Sequence, residues 1–148
     1  KVYPAGSVLT RRDVFTEMPF GNRIVMVTVS GADLLAALEN GFSQAETGAG
    51  RFPQVSGIVV EADLTKPPGQ RVVTAMVNGQ PLDPAATYKL ATSNFQQAGG
   101  DGYDMLNNGE MLINEQASNL DASTVINYIT ALGGKVGSKV EGRIVLKK

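Results

Sequence analysis

The sequence predicts an α+β fold, in which a mixed β-sheet and helices form a sandwich within a single domain. One observation is that segments with β-type alternation are interspersed with segments of helical periodicity along the whole chain. The other is length, because 148 residues suffice for one domain with a substantial core. No internal repeat or linker is evident, so residues 1–148 are expected to form this domain, in two or three layers.

Two helices are predicted in the N-terminal third of the chain. In the first, Thr10 is the N-cap, Asp13 lies in the first turn, and the helix ends before Pro19. Ser30 caps the second helix, which ends near residues 41–43. The apolar residues of this second helix share one stripe, which comprises Leu34, Leu35, Leu38 and Phe42.

Five segments are predicted to be strands. Residues 23–31 are mostly apolar on both faces, which is typical of a strand covered on both sides. Residues 56–64 and 70–79 are separated by the turn signal TKPPG, which predicts a hairpin. Residues 88–95 alternate as a strand that runs directly into a glycine-rich loop, and residues 141–148 form the last strand.

A third helix is predicted near the C-terminal end, over residues 121–134. Asp121 is a capping type of residue, and Gly133 and Gly134 provide the stop. One face of this helix is apolar and carries Val125, Ile126, Ile129 and Leu132.

The composition excludes several classes of function. The net charge is −1 and no Lys/Arg-rich run occurs, which argues against nucleic acid and anionic membranes as partners. No apolar stretch approaches the roughly 20 residues that a membrane span requires. The chain has no Cys and no His, which excludes a thiol nucleophile, a Ser–His hydrolase site and a His-ligated metal. Catalysis would therefore need carboxylates, Lys or a partner domain.

The loop NFQQAGGDGY (94–103) holds two candidate binding residues, Phe95 and Asp101. Its three glycines let the backbone approach a ligand closely. The carboxylate can accept two hydrogen bonds from a vicinal diol such as a ribose, and the ring can stack on a heterocycle. From the spacing alone, the favoured alternative is a tight turn with a core Phe and a solvated Asp.

Two other loops hold further candidates. In MPFGNR, Phe20 lies just before a strand, and Asn22 offers both a donor and an acceptor, as recognition of a base edge requires. A hydrophobic plug in a turn is the favoured alternative for this motif taken alone. The loop GAGRFPQVSG either lines a pocket or is a mobile segment that closes on the sheet, and its candidate residues are Gly50, Arg51 and Phe52.

Taken together, the three loops resemble the C-terminal domain of the 5′-nucleotidase family, which includes bacterial periplasmic UDP-sugar hydrolases and animal ecto-5′-nucleotidases. The resemblance rests on the order and spacing of PFGN, GAGRFPQVSG and NFQQAGGDGY. It extends over nearly the whole chain and includes TRRDVFTEMPFGN, VSGADLLAALENG, VNGQPLDPAATYKLATSNF and the closing VEGRIVLKK. The implied fold for residues 1–148 is that of a 5′-nucleotidase C-terminal substrate-specificity domain.

The resemblance also implies which residues bind substrate. Phe20 and Phe95 would be the two rings that sandwich the nucleobase, and Asn22 would contact the base. Asp101 would hold the ribose hydroxyls, and the backbone of Gly50 would lie near the base. No residue of this chain would be catalytic or would bind a metal.

The family's active site also needs an N-terminal metallophosphatase domain, in which Asp, His and Asn side chains hold two divalent metals. Nothing in this sequence matches the motifs of that domain. The arginine of the family's GGIR motif, which contacts the phosphate region of the substrate, is expected just before residue 1. The resemblance therefore implies no cofactor in this chain, a metal pair in the N-terminal domain of the same polypeptide, and a periplasmic, cell-wall-associated or secreted bacterial protein.

The interpretation is a base- and ribose-recognition domain of a metal-dependent 5′-nucleotidase, inactive alone, with a nucleotide or nucleoside as its small-molecule partner. One alternative is a non-catalytic nucleoside- or nucleotide-binding module, which the absence of an upstream dimetal domain would favour. The other is a structural or interaction domain with a decayed pocket. Five further residues are given no binding role: Arg11, Arg12 and Arg23 are interpreted as solvated charges, and Tyr3 and Tyr103 as packing residues.

Overall fold

The computed structural model describes residues 2–148, in which four α-helices are interspersed among seven strands. The helices are α1 (Arg11–Glu17), α2 (Gly31–Phe42), α3 (Asn94–Gln97) and α4 (Asp121–Ala131). The strands are β1 (Ile24–Ser30), β2 (Ile58–Asp63), β3 (Val72–Val77), β4 (Gln80–Pro81), β5 (Thr87–Ser93), β6 (Met111–Ile113) and β7 (Ile144–Lys147). Short 3₁₀ turns lie in several of the connections.

The strands form two sheets. The first has the order β5-β1-β6 and is antiparallel throughout. The second has the order β4-β3-β2-β7, and β7 runs parallel to β2 whereas the other pairs are antiparallel. The predicted α+β class with a mixed sheet is therefore confirmed, as is the β2–β3 hairpin, and a wholly antiparallel sheet accompanies the mixed one.

Helix α2 links the cores of the two sheets, since it contacts β1 of the first sheet and β3 of the second. Its buried stripe packs in one cluster with Val29 of β1 and Val60 of β2, and comprises Leu34, Ala37, Leu38 and Phe42. Leu35, which was predicted on the same stripe, is only half-buried. Burial of such a stripe is what holds a helix of this length in place.

The predicted starts of the first two helices are confirmed. Thr10 and Asp13 form a capping box: the Thr10 backbone N–H donates to Asp13 Oδ2 (2.8 Å), and the Asp13 N–H donates to Thr10 Oγ1 (3.3 Å). The Ser30 hydroxyl accepts from the backbone N–H of Asp33 (3.0 Å) at the start of α2.

The last helix begins at Asp121 and stops before Gly133 and Gly134, as predicted, but the prediction that Asp121 caps it is wrong. Its N-cap is Leu120, and Asp121 is the first helical residue, whose N–H donates to the carbonyl of Asn22 (2.9 Å). The last helical residue is Ala131, and Gly133 and Gly134 provide the predicted stop, since both take left-handed conformations (φ 78° and 76°). The docking of Asp121 on Asn22 is a tertiary contact, which a capping pattern cannot report.

Strand β5 ends at Ser93, two residues earlier than predicted. Ser93 instead caps α3, with its hydroxyl accepting from the N–H of Gln96 (3.1 Å), so Phe95 belongs to a helical turn. In β1, Val25, Val27 and Val29 are buried and the alternate side chains are half-buried, so one face is more fully covered than the other. The sequence did not predict β4, β6 or α3, since elements of two to four residues are too short to show a hydrophobic period.

Candidate functional site

Phe20 and Phe95 lie at the same end of the antiparallel sheet. Ile24 at the start of β1 faces Ser93 at the end of β5. Beyond that pair, the N–H of Arg23 donates to Asn94 Oδ1 (2.9 Å), and the N–H of Asn94 donates to the carbonyl of Arg23 (2.8 Å). These two bonds fasten the PFGN motif to the NF motif.

Phe20 is 85% exposed, which is unusual for a side chain of this size. Gly21 follows it with φ 65°, a conformation that favours glycine and turns the chain into β1. Asn22 is half-buried, and its carbonyl accepts the N–H of Asp121 (2.9 Å). The structure therefore rules out a buried hydrophobic plug at Phe20 in this chain.

Phe95 is 48% exposed because one face of its ring is covered by the backbone of Gly100. A Cβ atom added to Gly100 would lie 2.5 Å from Cζ and 2.6 Å from both Cε atoms of Phe95. Nearly equal distances to these three atoms place that position over the ring face, not beyond the ring edge. Glycine is thus required sterically, and about half of the surface of Phe95 stays exposed and available for stacking.

Asp101 has a left-handed backbone, with φ 55° and ψ 24°. Asp is among the few residues with a side chain that adopt this region with some frequency. The backbone on either side is also left-handed, at Gly99 (φ 94°) and Gly102 (φ 80°). Within residues 2–148 the Asp101 carboxylate makes no hydrogen bond or ion pair, so its acceptor positions are open to a ligand.

Gly50 lies beside Asp101, although the two residues belong to different loops. A Cβ atom added to Gly50 would lie 3.9 Å from Oδ2 of Asp101, and no other atom would approach it within 4 Å. The structure therefore brings Gly50 next to Asp101, Phe95 next to Gly100, and Phe20 to the same sheet end as Phe95. All five predicted site residues are exposed or half-buried.

The GAGRFPQ loop is held against α2 and does not stand free of the fold. The hydroxyl of Tyr103 donates to the carbonyl of Arg51 (2.6 Å). Phe52 packs edge-on against Phe42, with ring centroids 5.6 Å apart and an interplanar angle of 68°. The ring of Phe52 therefore packs against the core, which neither interpretation of this loop, as a pocket lining or as a mobile segment, had predicted.

Tyr103 is a buried packing residue, as expected, with only 4% of its surface exposed. Burial raises the pKa of its hydroxyl to about 12, and the nearby charge of Asp101 adds to that shift. The Arg51 guanidinium acts in the opposite direction. The phenol is therefore neutral over the physiological range and serves as a hydrogen-bond donor.

Sequence reasoning did not identify Asn40, on the last turn of α2. Its Nδ2 donates to the carbonyl of Asp101 (3.1 Å), and its Oδ1 accepts from Arg51 Nη1 (3.2 Å). The only signal in the sequence was a polar residue next to the buried Gly41 and Phe42, which is also the pattern of an ordinary solvated helix position.

The arrangement suits binding rather than catalysis. It offers two exposed aromatic rings, an unengaged carboxylate and an amide, but no nucleophile with an adjacent base. Among residues 2–148, no cluster of three or more acidic side chains could hold a metal ion, and no helix is long and apolar enough to cross a membrane. Two cavities, of about 440 and 560 Å³, include none of the five predicted residues in their linings, and Asn40 lines the larger one.

Comparison with known proteins matches residues 1–108 to the family described as 5′-nucleotidase, C-terminal domain. The trifunctional nucleotide phosphoesterase protein YfkN of Bacillus subtilis is 38% identical over 141 residues, which cover 92% of this chain and 10% of that protein. The snake venom 5′-nucleotidase of Crotalus adamanteus is 37% identical over 145 residues, which cover 93% of this chain and 24% of that protein.

Among solved structures, a 5′-nucleotidase precursor from Thermus thermophilus has a similar fold, with a TM-score of 0.86 at 40% identity. The match covers 94% of this chain and 28% of that one. The NAD nucleotidase of Haemophilus influenzae shares the fold over 94% of this chain and 26% of its own, with a TM-score of 0.77 at 24% identity. The chain spans about a tenth to a quarter of the length of the curated relatives.

Proposed function

Because this chain belongs to the 5′-nucleotidase family, in which it is the C-terminal domain, we propose that it binds the base and the ribose of a nucleotide. The observation that carries the proposal is the pair of hydrogen bonds between Arg23 and Asn94. Through these bonds, two exposed rings from distant parts of the sequence share one end of a sheet. Neither ring is needed there by the buried core.

In the proposed complex the base lies between the rings of Phe20 and Phe95. Stacking of a base on an aromatic side chain contributes about 1–3 kcal/mol, and Gly100 supports the ring of Phe95 from behind. Asn22 offers an amide to the edge of the base. Every base presents a flat π-face, so this arrangement accepts purines and pyrimidines alike.

The ribose is proposed to lie against Asp101, whose two carboxylate oxygens can accept from the two hydroxyls of a vicinal diol. Charged acceptors of this kind form shorter and stronger hydrogen bonds than neutral ones. Gly50 has no side chain, which leaves space beside the carboxylate for the nucleoside.

Hydrolysis of the phosphomonoester is proposed to belong to an N-terminal domain of the same polypeptide. The acidic residues of the described chain do not fit a metal pair, so such a pair would be held by that domain, where it would activate water and bind phosphate. We place the whole protein outside the cytoplasm, in the periplasm, at the cell wall or in the medium, since its relatives include a snake venom 5′-nucleotidase.

The proposal is tested by phosphate release from nucleoside 5′-monophosphates with added divalent metal. The full-length protein should release phosphate, and the 148-residue chain alone should release none. Phe20→Ala and Phe95→Ala in the full-length protein should raise KM for nucleotides and leave hydrolysis of a phosphate ester without a base unchanged. Equal effects on both substrates would contradict the proposal, and nucleoside binding without phosphate release would favour a non-catalytic binding module.

A further inference from the structure

We propose that Asn40 is a positioning residue that aligns the Asp101 carboxylate with the ribose of the ligand. The inference rests on the proposed function and adds to it a residue of α2 that lies outside all three loop motifs. Its basis is the pair of hydrogen bonds in which Asn40 joins the glycine-rich loop to the GAGRFPQ loop.

The first step is the bond from Asn40 Nδ2 to the carbonyl of Asp101 (3.1 Å). The left-handed backbone of Asp101 is a sparsely populated conformation for a residue with a side chain, and it persists only when its surroundings favour it. The side-chain direction of Asp101 follows from that backbone. A bond that holds the carbonyl in place therefore also holds the direction in which the carboxylate points.

The second step is the close approach of the loop to Asn40. A Cβ atom added to Gly102 would lie 3.0 Å from Asn40 Oδ1 and 3.6 Å from Arg51 Nη1. Since a side chain at residue 102 would crowd Asn40 Oδ1 while making only an ordinary contact with Arg51, the glycine allows the backbone to reach the Asn40 amide. The glycine after Asp101 thus serves the contact with α2 as well as the turn.

The third step is that Asn40 is itself held in one orientation. Arg51 Nη1 donates to its Oδ1 (3.2 Å), which leaves Nδ2 as the group directed at Asp101. Arg51 Nη1 also lies 3.5 Å from the hydroxyl of Ser43, and the Arg51 carbonyl accepts from Tyr103. The buried ring of Phe42 anchors the last turn of α2, and this holds the backbone of Asn40 in place.

The test measures the affinity of this chain for adenosine and for adenine, which lacks the ribose, by NMR titration. The chain is used by itself because it encloses its own buried core. The variant Asn40→Asp keeps the size of the side chain but replaces the N–H donor with an acceptor oxygen and adds a negative charge. Asn40→Ala, which removes the donor without adding a charge, is the second variant. Loss of one hydrogen bond of this kind corresponds to roughly a three- to tenfold change in affinity. We expect that loss for adenosine and no change for adenine.

Asn108→Ala is the matched control. Asn108 Nδ2 donates to Asp33 Oδ1 (3.0 Å), so the control also removes a side-chain amide donor that contacts an acidic residue. Asp33 is seven residues from Asn40 on α2, or about 10 Å along the helix. The control should therefore leave the affinities for adenosine and adenine as they are in the unsubstituted chain.

The outcomes separate the two proposals. If the unsubstituted chain prefers adenosine to adenine and Asn40→Asp retains that preference, the positioning role alone is overturned. Equal losses for adenosine and adenine also overturn it, because they would reflect general damage to the fold. If the unsubstituted chain binds neither ligand, the proposed recognition of base and ribose is overturned, and so is the role of Asn40.

Discussion

Gly100 lies over the face of the Phe95 ring so closely that an added Cβ atom would be 2.5 Å from Cζ of the ring. Besides carrying Asp101, the glycine-rich loop therefore holds in place the ring that is proposed to stack on the base. The loop thus couples the proposed base site to the proposed ribose site, because Asp101 is the next residue.

Gly100→Ala should weaken nucleoside binding about tenfold or more, because the new methyl group must displace Phe95 from its position beside the base, and overpacking of this kind costs about 1–3 kcal/mol. Isothermal titration or NMR titration with adenosine measures the loss. Gly137→Ala is the matched control, since a Cβ atom there meets nothing within 4 Å. Unchanged affinity in Gly100→Ala would show that the ring position does not matter.

Phe20→Ala should reduce adenosine affinity and barely alter stability. The ring is 85% exposed, so little burial is lost, whereas the loss of stacking corresponds to about 1–3 kcal/mol, or roughly 5- to 150-fold in affinity. Phe20→Leu, which keeps an apolar side chain without a flat face, should recover only part of the affinity. Urea denaturation in parallel measures stability, and full recovery by Leu would argue against stacking.

Gly50→Ala should lower the affinity for adenosine without lowering the stability of the fold. Only the Asp101 carboxylate lies within 4 Å of the added methyl group, at 3.9 Å, so the free energy of unfolding should stay within about 0.5 kcal/mol of the unsubstituted chain. The methyl group occupies the space proposed for the nucleoside, and adenosine affinity should fall. Unfolding curves and adenosine titrations on one sample provide both values, and a normal affinity would remove Gly50 from the site.

Arg71→Met should destabilise the fold without touching the candidate site. Arg71 is 5% exposed, and its guanidinium bonds the carbonyl of Phe42 (2.6 Å) and the carboxylate of Glu46 (2.5 Å). The expected loss is about 2–4 kcal/mol, below that of a fully buried pair because Glu46 is half-exposed.

Chemical denaturation measures this loss, and Arg12→Met, at an exposed position of α1, is its control. Adenosine binding of the folded Arg71→Met fraction should equal that of the unsubstituted chain. A cost below about 1 kcal/mol would mean that water replaces these contacts at little expense.

Alkaline pH should destabilise the chain through Tyr103. Its pKa rises from 10.0 to about 12 in the folded state, so between these values the folded chain holds a proton that the unfolded chain has released. The stabilisation is therefore complete below pH 10 and is lost as the pH rises towards 12. Denaturation at several pH values measures the loss, and Tyr103→Phe should show a smaller one; equal slopes would contradict the assignment.

Local patterns predicted the elements that have capping residues or a long period. Thr10 and Ser30 mark helix starts by chemistry that involves only their near neighbours, so both predictions were right. Asp121 carries the same chemistry, but its N–H bonds the carbonyl of Asn22, about a hundred residues earlier, and the cap lies at Leu120. Such a distant contact leaves no trace in the local sequence.

In the candidate site, too, local features could be predicted from the sequence and distant contacts could not. The loops and their glycines were visible as motifs, whereas the contact of Gly100 with the Phe95 ring depends on how the chain turns between them. Asn40 and Asp101 are 61 positions apart, so nothing near Asn40 indicated its partner. The sequence around Arg71, just before β3, likewise gave no signal of its ion pair, because its partner Glu46 is 25 residues away.

The most direct measurement is a heteronuclear NMR titration of this chain with adenosine, with a Phe20→Ala, Phe95→Ala double variant as the control. Recognition of base and ribose predicts shifts confined to residues 20–22, to residue 50 and to residues 95–102, all absent in the double variant. Shifts that persist in the double variant, or that cluster at the 440 Å³ cavity, would contradict the proposed site. No shift at millimolar adenosine would contradict a half-site formed by this chain alone.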